Sequence, residues 1–166
     1  MKNFLVVLAA VCLSWTQQRD SYVEIYRVSF TCPAGWDVKK AEDDGEFKTL
    51  SIEKAGDLSS GIVSMLFTDN PLDLDAFLQL LTSFLEGRKD INNLVLKAKE
   101  RTRYGKYDGL ASSYSFYLNG VKHEGEISVF LENGITMGII HQEVVQHHSE
   151  NLKGFETIKG SLTLKD

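Results

Sequence analysis

Cysteine is almost missing from this sequence, with only Cys12 and Cys32 present. If the first segment is removed, Cys32 stands alone, and one thiol makes no internal disulfide in any compartment. It precedes Pro33 in a turn with no histidine near it in sequence, so it reads as a packed or idle thiol. A positive balance is missing too: the formal net charge is −5. General affinity for nucleic acid needs a basic footprint and is therefore excluded. No apolar run is long enough to span a bilayer, which takes about 20 residues. The familiar catalytic signatures are absent as well: no GxSxG, P-loop, GxGxxG, HExxH or CxxC occurs. Ser112, Ser113 and Ser115 fall in a strand pattern, which cannot form a nucleophile elbow.

What is present is an ordinary globular composition, 43% hydrophobic and 25% charged over 166 residues. A chain of this size buries roughly 68–70% of its unfolded surface, so it can form a core without disulfides or structural metals. Met1 to Thr16 reads as an export signal: Lys2 opens it, Phe4 to Leu13 is continuously apolar, and Ser14 and Thr16 suit cleavage near Gln17. Two alternatives stay open, a lipid-modified Cys12 and a buried N-terminal helix or strand. Val11 fits the first poorly, because such processing prefers a small residue there. The expectation is a leader over residues 1–16 and a single α+β domain over 17–166, exported to the periplasm or exterior.

Tyr22 to Phe30, a short segment from Trp36, Phe47 to Lys54 and Ile62 to Thr68 read as strands. Pro33-Ala34-Gly35 and the acidic stretch Glu42 to Glu46 read as turns. Asp73 is a good helix N-cap, with Leu74, Phe77, Leu78, Leu81, Phe84 and Leu85 following at helical spacing and Gly87 ending the run. A second helix is expected from about Ser149 to Lys159, with Leu152, Phe155 and Ile158 as its apolar face and Leu162 continuing it. Gly154 and Gly160 weaken that helix.

Between Leu94 and Gln142 four strand patterns follow one another as an antiparallel meander. Asn119-Gly120 suits a two-residue type I′ turn, in which both residues take positive φ. It sets Leu118 opposite Val121, Phe116 opposite His123, Tyr114 opposite Gly125 and Ser112 opposite Ile127. At Asn133-Gly134 a two-residue turn would put the apolar sets of the two strands on opposite faces. A three-residue loop, Glu132-Asn133-Gly134, restores one apolar face and predicts Val129 opposite Met137 and Gly125 opposite His141. A five-residue loop at 105–109 predicts Glu100 opposite Tyr114.

These registers align Glu100, Tyr114, Gly125 and His141 in one polar row, with Ala98, Phe116, His123 and Glu143 in the next. Glu100, Tyr114, His123 and His141 are the candidate ligand-binding residues, and the alternative to an accessory role is a small-ligand-binding protein or an enzyme that uses the Glu100, Tyr114 and His141 row. The competing reading is a solvated sheet end where no helix covers the strands, with Gly125 merely letting Tyr114 lie flat. On the other face Lys97, Lys99, Arg101 and Arg103 form a basic stripe. Tyr117, Ser115 and Ser113 lie beside it, then Lys122, Glu124 and Glu126. That stripe is either a solvated face or the cationic wall of a shallow trough that holds an acidic partner segment. The four histidines lie between His123 and His148. They have no recognised metal-ligand spacing, so neither metal nor cofactor is expected.

The opening Phe30 with Pro33-Ala34-Gly35-Trp36, the long meander and the closing Gly154-Phe155-Glu156 together resemble the PsbP-like and DcrB-like families, which share the fold of the Ran-binding Mog proteins. The resemblance spans Val23 to Leu164. It implies an α/β/α sandwich around an antiparallel sheet, and a non-enzymatic accessory, chaperone or binding role with a protein or small ligand as partner.

Overall fold

The computed structural model describes residues 19–56 and 60–165. The expected leader and Cys12 lie outside the described residues. Eight strands form one antiparallel sheet: β3 (Trp36–Asp43), β4 (Lys48–Lys54), β5 (Gly61–Thr68), β6 (Ile91–Leu96), β7 (Glu100–Tyr104), β8 (Tyr107–Leu118), β9 (Val121–Glu132) and β10 (Ile135–Val144). Their order is β3-β4-β5-β10-β9-β8-β6, with β7 also paired to β8. Helix α1 (Leu74–Glu86) packs on one face. Helix α2 (His148–Ser161) packs on the other, with a small sheet of β1 (Ser21–Ile25), β2 (Val28–Cys32) and β11 (Thr163–Leu164). The α+β sandwich expected from the sequence is the fold observed.

Local chemistry explains most element ends. The Asp73 carboxylate accepts from the Ala76 N–H at 2.9 Å and caps α1. Phe77, Leu78, Leu81 and Leu85 are buried beneath it, while Phe84 turns outward. The segment from Tyr22 to Phe30 is two strands, not one. A turn at Tyr26-Arg27 sets Ile25 opposite Val28, with Tyr26 at a φ of 58°. The sequence carries that break, because the apolar parity changes between Ile25 and Val28.

Two register expectations are overturned. Asn133 (φ 51°) and Gly134 (φ 73°) form a two-residue turn that sets Thr136 opposite Leu131, Gly138 opposite Val129 and Gln142 opposite Gly125. The three-residue loop assumed that β10 has one apolar face. In fact β10 is buried on both: Ile135, Met137 and Ile139 belong to the core under α2, and Ile140 packs in the core under α1. At the other loop, Gly105 (φ 59°) and Lys106 close a two-residue turn that sets Tyr104 opposite Tyr107 and Glu100 opposite Ala111. Both tyrosine rings then stack on Phe130, with centroids 6.1 and 4.7 Å away. The five-residue loop would have separated them. The Asn119-Gly120 turn and the whole β8–β9 register match expectation.

Strand β3 and helix α2 meet at Trp36. Its ring lies edge-on to Phe155 at 5.3 Å, and a Cβ on Gly154 would sit 2.6 Å from its Cε2 and Nε1 atoms. A Cβ on Gly61 would press the same ring at 2.9 Å from its other end. Gly154 is therefore the point where α2 closes onto the indole, not merely a weak spot in the helix. The α2 stripe is Asn151, Phe155 and Ile158, continued by Leu162, and Leu152 is exposed.

Candidate functional site

Helix α2 covers only part of its side of the sheet. Past β10 the same face, which no other helix among the described residues covers, continues over β9, β8 and β6 as a polar trough of about 380 Å³. Alternation places its floor. Ser113 faces Glu126, Ser115 faces Glu124 and Tyr117 faces Lys122, as the β8–β9 register predicts. Val95 and Lys97 line the outer edge, and His141, Glu143 and His148 close the inner end.

The cationic wall expected of this trough is mostly elsewhere. Strand β6 stops at Leu96 and β7 begins at Glu100, and the break reverses which residues face which side. Lys97 stays in the trough. Lys99 reaches the Asp75 carboxylate on α1. Arg101 and Arg103 border a separate groove of about 890 Å³ beside the N-terminus of α1, and Arg103 pairs with Asp108 at 2.9 Å. With Glu124, Glu126 and Glu143 against Lys97 and Lys122, the trough has an acidic lining rather than a basic one.

The predicted polar row does not exist as a row. Tyr114 does face Gly125 and lies over it: a Cβ there would stand 2.6 Å from the phenol oxygen. The hydroxyl donates to the His141 carbonyl oxygen at 3.0 Å. Burial holds this phenol well above the usual tyrosine range, partly offset by Arg88. His141 faces Glu126 on the opposite side of the sheet, its ring 5.0 Å from that of Phe155. Burial lowers its pKa, and Glu126 and Glu143 act in the other direction. Glu100 is exposed and faces Ala111, far from this grouping in register. Tyr114, Gly125 and His141 nevertheless border the same trough. His123 lies on the α1 side, buried and stacked on Phe116 at 5.3 Å, with Arg88 over the same Phe116 ring. Its row partner on β10 is Val144, not Glu143.

Sequence reasoning missed the polar cluster at the inner end. The Glu143 side chain is only 4% exposed, yet its Oε1 lies 2.7 Å from His148 Nδ1. The hydrogen bond to Glu143 raises the His148 pKa, and the charges of Glu143 and Glu124 add to it. Asn151 Nδ2 donates to Glu143 Oε2 at 3.2 Å and to the Ser60 carbonyl. The Asn151 Oδ1 atom has no partner among the described residues. Glu124 Oε1 stands 3.8 Å from the same His148 nitrogen. A signal for this cluster was available: Asn151 occupies the i−4 position of the Phe155 stripe, where an apolar residue belongs unless a polar group is buried opposite.

The layered antiparallel sheet with one helix on each face is the PsbP/Mog type of fold. Among solved structures, it is similar to the cyanobacterial PsbP (CyanoP) of Synechocystis sp. PCC 6803. That match has a TM-score of 0.62 and 12% identity, and covers 94% of this chain and 98% of that one. The Ran-binding protein Mog1p of Saccharomyces cerevisiae matches with a TM-score of 0.58 and 7% identity over 90% of this chain and 97% of its own. LpqN of Mycobacterium tuberculosis, involved in cell envelope biogenesis, matches with a TM-score of 0.50 and 11% identity over 89% and 91%. No protein-family model matches the sequence, and no curated protein matches it in sequence. At these identities the likeness defines the fold, and function has to be argued from the site.

Proposed function

We propose that this chain is an exported, non-enzymatic accessory protein of the bacterial envelope that binds its partner in the trough over β8 and β9. The observation that carries the reading is the uncovered half-face itself, where Ser, Glu, Lys and His side chains line a concave surface and the aromatic Tyr117 stands exposed at the sheet end. Its acidic lining suits a basic segment or a donor-rich small ligand. Lys97, Tyr114 and His141 are the sequence-predicted candidates that border it. The fold likeness supports the reading, since one relative in fold takes part in envelope biogenesis and another binds a protein, Ran. No helix among the described residues is long and apolar enough to cross a membrane.

Expression of the full-length chain in a bacterial host, followed by fractionation and intact-mass measurement, tests the export claim. The expected product lies outside the cytoplasm and lacks the segment ending near Thr16. A cytosolic product that retains Met1 to Thr16 would overturn it.

A further inference from the structure

We propose that Glu124, Glu143 and His148 form a binding site for a divalent transition-metal ion of the zinc type. One donor atom from each residue lies within 4.8 Å of the other two. Zinc sits about 2.0–2.2 Å from nitrogen and oxygen ligands, so small rotations of Glu124 and His148 bring all three into a tetrahedral shell. Those two side chains are 41% and 56% exposed and free to rotate, whereas Glu143 is buried and fixed.

The donor count favours a cation over a simple ion pair. Two carboxylates converge on one imidazole nitrogen, and its single N–H satisfies Glu143 at 2.7 Å while Glu124 remains at 3.8 Å. A cation at the centre satisfies all three at once and relieves the repulsion between the carboxylates. Asn151, itself fully buried, holds the outer oxygen of Glu143 and so fixes the carboxylate as an outer-shell partner does. Mixed imidazole and carboxylate donors suit zinc and its neighbours, whereas calcium takes six to eight oxygens, more than this cluster offers. All three ligands line the trough, so the remaining coordination position is open to water or to a group of the partner. The site is independent of export: it stands or falls on the folded domain alone.

The test is calorimetric titration of the chelator-treated full chain, without a histidine tag, using zinc chloride and, separately, calcium chloride. Zinc should bind at one equivalent and raise the melting temperature, with no comparable response to calcium. His148→Ala and Glu124→Gln should each weaken zinc binding by roughly tenfold or more, and Glu124→Gln, which leaves the Glu143–His148 pair intact, should melt close to the wild type without metal. His147→Ala should bind as the wild type does, because His147 pairs with Glu150 instead. Any of three results overturns the site: absence of saturable zinc binding, wild-type affinity in both His148→Ala and Glu124→Gln, or loss of binding in His147→Ala.

Discussion

Replacing Gly154 with alanine sets two effects against each other, and the structure decides which wins. By helix propensity alone the change should stabilise α2 by about 1 kcal/mol. The new methyl, however, would lie 2.6 Å from two indole atoms of Trp36 and 2.7 Å from a third. Carbon atoms prefer separations of about 3.5–4.0 Å, so the ring must retreat by about 1 Å. It has little room to do so: Trp36 is 5% exposed, meets Phe155 edge-on and abuts Gly61 at its far end. Overpacking of this kind costs about 1–3 kcal/mol, and the blocked retreat places it near the upper end. Net destabilisation of roughly 1–2 kcal/mol follows, or several degrees in melting temperature for a chain of this size. Urea unfolding followed by tryptophan fluorescence is the assay. In a chain that begins after Thr16, Trp36 is the only tryptophan, so the signal comes from the contact itself. Trp36→Phe makes room for the methyl, so the double variant should be more stable than the sum of the single changes predicts, by roughly 0.5 kcal/mol or more. If Gly154→Ala is instead stabilised by the full propensity gain, α2 does not press on the indole and the docking described here is wrong.

Two further outcomes test other parts of the fold. Tyr114→Phe removes the hydroxyl that donates to the His141 carbonyl and should cost about 1 kcal/mol in urea unfolding, whereas Gly125→Ala should cost more, because its methyl meets both that carbonyl and the phenol ring. Equal stability of wild type and Tyr114→Phe would remove the bond from the account. Alkaline titration probes Tyr104 and Tyr114, whose phenols burial holds well above the usual range. Their stabilising effect is complete below the unfolded tyrosine pKa of roughly 10 and is lost as pH rises from there toward their folded values. By near-ultraviolet absorbance the two buried phenols should thus ionise only as the circular dichroism of the fold is lost. Ionisation of Tyr104 or Tyr114 with the fold intact would contradict its burial.

The strands, the cap of α1 and the Asn119-Gly120 hairpin were legible because in each case local chemistry and apolar patterning point the same way. Asn119 and Gly120 accept positive φ, and the flanking strands then alternate in phase. The trough floor followed directly, since Ser113, Ser115, Glu124 and Glu126 depend only on that one turn. Asn133-Gly134 carries identical turn chemistry, yet its register was misread through the rule that one face of a strand is apolar. Strand β10 is covered on both faces, so its pattern contains no parity, and only the packing of α1 and α2 on either side decides it. The break between β6 and β7 had the same effect on the basic stripe, because a shift of register along β8 leaves no mark in residue hydrophobicity. The cluster of Glu124, Glu143 and His148 draws on β9, β10 and α2, and no spacing within one element encodes it. Sequence by itself determines the turns, caps and faces set by neighbours along the chain. Which face of a doubly covered strand meets which helix, and hence which carboxylates meet which histidine, is decided only when the layers close.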